Sequence, residues 1–277
     1  MHPLKKLRSV ACAEVQLLSP TFQNWTRRLR QEENRLHRKI WEYCYIGQAL
    51  EERGMLRAGK KGLGFAVGQE PLPAWFASRG CVITATDLAI QDARKDGWVE
   101  SNQHAAGLEA LNSSGISPEE AFRQRVSFRT ADMRDIPPDL TRFDFLWSSC
   151  SLEHLGSMEL GRKFIFDSLN CLNPGGIAVH TTEYNVSSNE DTLMDGLTVL
   201  YRRQDIERIG RELTEAGHYI DLDFGLGAGP ADLFVDKPPY LQQVHLRLDI
   251  SGFTVTSYGL IIRKAGRPGL FSGRQSV

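Results

Sequence analysis

The chain has 277 residues, enough to bury a full core in one large or two small domains. An apolar fraction of 41% and a charged fraction of 24% are ordinary for a globular protein, and a formal net charge of −1 excludes any general attraction to nucleic acid or an anionic membrane. The five cysteines, at 12, 44, 81, 150 and 171, are odd in number and show no CxxC or metal-ligand spacing, so they read as reduced, mostly buried thiols.

In chain order, residues 1–20 read as a loosely ordered arm. Glu14 and Gln16 interrupt its mildly apolar part, which argues against a signal peptide; no apolar run is long enough to cross a bilayer, and the expected location is the cytoplasm. From Thr21 to Gly54 the apolar residues Phe22, Trp25, Leu29, Leu36, Ile40, Cys44 and Leu50 recur at helical spacing. They predict one broken or two successive helices, forming a lid over the mouth of the next domain. Trp41, Glu42, Tyr43 and Tyr45 in this segment read either as core or as the lid's edge against a cationic ligand.

Lys61–Asp87 is the organising stretch. It reads as a strand, a glycine-rich turn (Gly64–Gly68), a helix over 72–79 behind Pro71, and a β-branched strand over 81–86. Asp87, at that strand's carboxyl end, is placed to accept hydrogen bonds from ribose hydroxyls. Helical stretches over 88–125 come next, with Ser117 as the N-cap of a helix beginning Ser117-Pro-Glu-Glu120.

Strands are predicted at 126–130, running into Asp132-Met133, and at 143–147, running into Ser148–His154. A helix over 156–172, the turn Asn173-Pro-Gly-Gly176 and a strand over 177–182 lead to Glu183. A polar flap over 186–200, a helix over 204–216, a strand over 219–224, a Gly/Pro-rich loop over 225–240, a strand over 253–263 and a flexible tail complete the chain. Strands alternating with helices imply a mostly parallel sheet covered on both faces. The expected division is an N-terminal arm and lid (1–55), one α/β domain (56–265) and a tail (266–277).

Asp87, Asp132 and the Ser149/His154 pair all stand at strand ends that would converge on one crevice. With these landmarks, residues 60–185 resemble the class I S-adenosylmethionine-dependent methyltransferases, in the branch that acts on small molecules. Gly64-Phe65-Ala66-Val67-Gly68 is similar to the family's G-x-G-x-G turn. Phe143–Trp147 followed by Ser-Leu-Glu-His154 resembles its fourth-strand motif, and Leu172-Asn-Pro-Gly-Gly176 its next turn.

The resemblance implies a Rossmann-like fold with a seven-stranded, mostly parallel sheet, S-adenosyl-L-methionine as cofactor and in-line transfer of its methyl group to oxygen or nitrogen of a small acceptor. It implies that Gly64, Phe65, Ala66 and Gly68 surround the methionine part, Asp87 and Leu88 the ribose, and Asp132 and Met133 the adenine, with Ser149 and Cys150 beneath the cofactor. No nucleic-acid partner and no membrane span are expected, and a homodimer is compatible with the sequence.

Two positions depart from the family pattern. The middle glycine is Ala66, and Gly62 stands where an acid usually helps hold the cofactor's ammonium, a role that Glu70 could take over. His154 and Glu183 are the candidate catalytic or acceptor-positioning residues. His180 reads as core, and His245 as a residue of the same mouth. Glu153-His154 resembles the end of the E-x-x-E-H motif of metal-dependent members, but Cys150 occupies the place of the first acid, so no metal is expected. A cofactor-binding module without catalysis is the alternative. A dinucleotide-dependent oxidoreductase ranks lower, because its last fingerprint glycine would fall on Val67.

Overall fold

The computed structural model describes residues 6–95, 98, 104–105 and 107–266, Lys95 by its backbone alone. The N-terminal part holds β1 (Val10–Ala11), α1 (Glu14–Leu17), α2 (Pro20–Arg28), β2 (Leu36–His37) and α3 (Arg38–Glu52). Next come β3 (Lys61–Phe65), α4 (Leu72–Ser78), β4 (Val82–Asp87), α5 (Ile90–Lys95), α6 (Glu119–Arg125), β5 (Val126–Thr130), β6 (Phe143–Ser149), α7 (Met158–Asn170) and β7 (Leu172–Asn185). The last part contains α8 (Arg203–Glu215), β8 (Tyr219–Ile220), α9 (Pro230–Leu233), β9 (Val235–Asp236), β10 (Val244–His245), β11 (Arg247–Ile250) and β12 (Phe253–Arg263).

The main sheet has the order β5-β4-β3-β6-β7-β12-β11-β9, with β1 and β8 also paired to β12. The five strands from β5 to β7 run parallel, and β12 is antiparallel to β7. This is the expected Rossmann-like, mostly parallel architecture. It carries ten strands rather than seven, because the short β1, β9 and β11 extend it. From β3 the chain builds outward through β4 and β5, then crosses back to β6 and β7. The switch in strand order therefore lies between β3 and β6, and it opens a crevice at their carboxyl ends.

Two apolar cores flank the sheet. One joins Trp25, Trp41, Tyr45, Phe76, Phe145 and Trp147; the other joins Phe65, Phe164, Leu213, Tyr258 and Ile262. The two-residue period of β3 sends Leu63 and Phe65 to the second core and leaves Gly62 and Gly64 facing the aromatic side. A Cβ at Gly62 would lie 2.4 Å from Phe145 Cζ, and one at Gly64 would lie 2.5 Å from Trp147 Cζ2. Gly62 is thus a packing position, and an acid side chain there would have to displace an aromatic ring.

The arm is more ordered than expected: β1 pairs with β12, and Arg8 bonds Asp221 and Asp223. Trp41, Cys44, Tyr45, Ile46, Ala49 and Leu50 of α3 are all fully buried, which makes this helix part of the core layer. Only its start, with His37, Lys39 and Tyr43, reaches the crevice. Ser117 does not cap α6. That helix begins behind Pro118, the Ser117 hydroxyl is buried without a partner among the described residues, and Asn112 ties the segment down by bonding Ser117 N and O. The expected 225–240 loop contains α9 and β9. Most of the tail lies outside the described residues.

Candidate active site

A pocket of about 360 Å³ occupies the crevice. The turn after β3 forms one wall with Ala66, Val67, Gly68, Gln69 and Glu70. Asp87 ends β4 and Leu88 follows it, Ala131–Arg134 follow β5, and Ser149 ends β6, followed by Cys150, Ser151 and His154. The strand ends that the sequence marked are therefore brought together. Phe65 lies behind the wall, fully buried against Phe164.

The turn is held tightly. Val67 N donates to Thr86 O (3.1 Å), and Thr86 Oγ1 donates to Gly64 O (2.9 Å). Ala66 has φ +47° and Gly68 φ +50°, so both sit in the left-handed region that favours glycine. Ala66 adopts it despite its Cβ, the smallest side chain that could stand there.

Asp87 is buried and accepts three backbone N–H groups, from Gly68 (3.1 Å), Leu88 (2.8 Å) and Ala105 (3.0 Å). Burial pushes its carboxyl up, and the three donors oppose that. A carboxylate has about four lone-pair sites, so one remains for a ligand hydroxyl. Asp132, just after β5, is clamped by Arg134 through Nε (3.0 Å) and a terminal nitrogen (2.8 Å), and it also accepts Arg134 N–H (2.8 Å). Burial tends to raise the Asp132 carboxyl, but Arg134 outweighs it and holds the group low. An adenine amino group would have to share this carboxylate with Arg134. Met133 is buried beside it and lines the pocket.

Glu70 is 4% exposed and turns inward, accepting the indole N–H of Trp147. Burial pushes its carboxyl up to about 8, and the indole bond partly counters that. It is more than a residue at the start of a helix: it is a buried acid on a pocket wall, and a cation arriving there would convert it to the carboxylate.

Beneath Ser149 and Cys150 lies a buried charged cluster that the sequence did not reveal. Glu42 accepts from Lys39 Nζ (2.8 Å), Ser149 Oγ (3.0 Å), Cys150 Sγ (3.0 Å) and Ser257 Oγ (2.6 Å). Burial tends to raise Glu42, but Lys39 and Arg38 outweigh it and hold the carboxyl at about 2. Arg38 pairs with Glu183 Oε1 (2.5 Å). Glu183 is 3% exposed and stands behind the pocket wall. Cys150, at φ +45°, is anchored by its N–H to Thr181 O (3.1 Å) and Thr181 Oγ1 (3.0 Å), and burial pushes its thiol up.

His154 lines the pocket. Its Nδ1 bonds Leu197 O (2.8 Å), and its ring meets Trp98 edge-on at 4.6 Å. A carbonyl can only accept, so Nδ1 carries the proton and Nε2 presents a lone pair. Burial lowers its pKa to about 4. His180 is fully buried, bonded to Ser148 Oγ (2.8 Å), as expected of a core histidine. His245 is bonded to Asp236 (2.7 Å) and packed on His37, and it is His37 that lines the pocket. Sequence reasoning missed Lys39, Trp98, His104 and Arg134 as lining residues; no motif marks them.

No family model matches the chain, and no match was found among curated proteins. Among solved structures the chain is similar to magnesium protoporphyrin IX methyltransferase from Synechocystis PCC 6803 with bound SAH, at 11% identity and a TM-score of 0.48, covering 90% of this chain and 97% of that one. It is similar to the glycopeptide N-methyltransferase MtfA complexed with sinefungin at 15% identity and a TM-score of 0.49, covering 86% and 91%. It is similar to the [4+2]-cyclase SpnF at 13% identity and a TM-score of 0.49, covering 94% and 100%. Among the described residues, no helix is long and apolar enough to cross a membrane.

Proposed function

We propose that this protein is an S-adenosyl-L-methionine-dependent methyltransferase acting on a small molecule. The observation that carries this reading is the convergence of Ala66–Glu70, Asp87, Asp132–Met133 and Ser149–Cys150 on one pocket at the switch in strand order. In this reading Asp87 takes the ribose, Asp132 and Met133 take the adenine, and Glu70 takes the ammonium in place of the acid that Gly62 cannot carry. The bound cofactor supplies a methyl group on a positively charged sulfur. The protein's contribution is to align the acceptor with it and exclude water.

His154 is the acceptor-positioning residue. With Nδ1 held by Leu197 O, its Nε2 lone pair receives a hydrogen bond from an acceptor O–H or N–H and turns the acceptor's own lone pair toward the methyl group. Glu183 acts indirectly, holding Arg38 and through it the base of the β6 turn.

The test is incubation with methyl-labelled cofactor and pooled hydroxylated and amine acceptors. Label transferred to a product, with one S-adenosylhomocysteine formed per methyl, is the expected outcome. Cofactor binding without transfer across a broad acceptor panel would favour a non-catalytic binding module.

A further inference from the structure

We propose that Cys150, Glu153 and Glu183 form a binding site for one divalent transition-metal cation of the zinc class. The thiol sulfur and one oxygen from each carboxyl lie within 4.8 Å of one another. Each group is oriented from outside by a different partner. Thr182 Oγ1 donates to Glu153 Oε2 (3.1 Å), Arg38 holds Glu183 Oε1, and Thr181 anchors the Cys150 backbone. That leaves Glu153 Oε1 and Glu183 Oε2, both buried and both without a hydrogen-bond partner among the described residues. Glu153 is 0% exposed and Glu183 3%. Two unpartnered carboxyl oxygens in a buried space are costly unless something fills it.

The surrounding charges fit a dication. Arg38 and Lys39 pair with Glu42 and Glu183, and Glu153 adds a third carboxyl beside them, so two cations meet three acids. When the thiol and the carboxyls are ionised, the cluster carries two negative charges in excess, which one divalent cation cancels. The thiol proton and any carboxyl proton leave to solvent on binding. A thiolate with two carboxylates suits zinc better than magnesium or calcium, which favour oxygen donors alone. Cysteine at the place of the first acid is thus itself a ligand, and Glu183 joins from the neighbouring strand β7, too distant in sequence to show a motif.

Three protein donors leave a coordination position open, and Cys150 lines the pocket. His154 Nε2, 3.9 Å from Glu153 Oε1, borders the same space. A hydroxyl-bearing acceptor could bind the cation through its oxygen. That role rests on the methyl-transfer reading; cation binding itself does not.

The experiment titrates metal-free protein, without cofactor, with Co²⁺ as a spectroscopic stand-in for Zn²⁺. One equivalent should produce a thiolate-to-cobalt absorption band that Zn²⁺ abolishes. Cys150→Ser should remove the band and Cys81→Ser should keep it, since Cys81 is buried elsewhere. Glu153→Gln should weaken Zn²⁺ binding by about tenfold or more in competition with a chromogenic chelator. No band, or a band that survives Cys150→Ser, overturns the proposal. If Glu153→Gln does not fold, the half-buried Cys150→Ser still decides. Because the readout needs no cofactor, failure of metal binding and failure of methyl transfer are separable.

Discussion

Trp147 donates its indole N–H to the buried carboxyl of Glu70 on the side of the sheet where Gly64 leaves room for the ring. This pair links the packing of β3 and β6 to the electrostatics of the pocket. The aromatic core requires glycine at 62 and 64, glycine at 62 removes an acid from the strand, and the acid at 70 is held in place by the same aromatic layer.

Proton linkage tests Glu70. Its carboxyl is ordinarily near 4.5 and is raised to about 8 in the folded protein, chiefly by burial. The folded state therefore keeps a proton that the unfolded chain has lost. Glu70's own contribution to stability should fall as pH rises from about 4.5 to about 8, by up to about 1.4 kcal/mol per pH unit, and level off above; Glu153, which burial also pushes up to about 8, adds a slope of the same sign. Glu70→Gln should remove that contribution, read in chemical denaturation as a wild-type stability that falls relative to the variant's as pH rises from about 4.5 to about 8. If the cofactor's ammonium settles on Glu70, binding at pH 7 should release about one proton, measured by calorimetry in buffers of different ionisation enthalpy. Glu70→Gln should weaken binding and release none.

Trp147→Phe keeps most of the ring and removes the donor. Glu70 then loses its indole partner, and the expected cost is about 1–3 kcal/mol in denaturant unfolding. Affinity for the cofactor should change as well, because the carboxyl is no longer aimed. A change in stability alone would separate the packing role of Trp147 from its orienting role.

Gly64→Ala places a Cβ 2.5 Å from both Trp147 Cζ2 and Val67 Cγ1. Both neighbours must shift, at about 1–3 kcal/mol, and the pocket wall shifts with them. Ala66→Gly has the opposite expectation. It relieves a left-handed alanine at φ +47° and should leave stability unchanged or raise it by about 0.5–1 kcal/mol.

Arg38→Gln tests the buried cluster. The guanidinium pairs with Glu183 and stands 3.9 Å from Glu42, with a side chain only 15% exposed. Removing it leaves buried carboxylates uncompensated, and a loss of about 3–5 kcal/mol in denaturant unfolding is expected. Arg27→Gln, which breaks the exposed pair with Glu33, should cost about 1 kcal/mol or less.

The sequence carried the parallel part of the fold because its signals are local. β-branched runs, glycine turns and acids at strand ends mark Lys61–Asp87 and Val126–Asp132, and the Asn173–Gly176 turn marks the start of the next strand. The short strands β1, β2, β9 and β10 were not legible: two residues carry no periodicity, and only their partners define them. The charged cluster was hidden for a related reason. Arg38, Lys39 and Glu42 at three- and four-residue spacing look like a solvated helix face, and only the packing of α3 on β6, β7 and β12 turns them inward. Asp87 was marked correctly as a strand-end acid, but its three backbone donors come from segments that no spacing rule joins.

Titration calorimetry with S-adenosylhomocysteine, on the wild type and on Asp87→Asn, tests the central claim most directly. One molecule should bind per chain to the wild type. Asp87→Asn should weaken that binding by about tenfold or more, because the ribose hydroxyls lose a charged acceptor worth about 1.5–3 kcal/mol. Absence of binding at millimolar concentration, or equal affinity in the two proteins, would contradict the account.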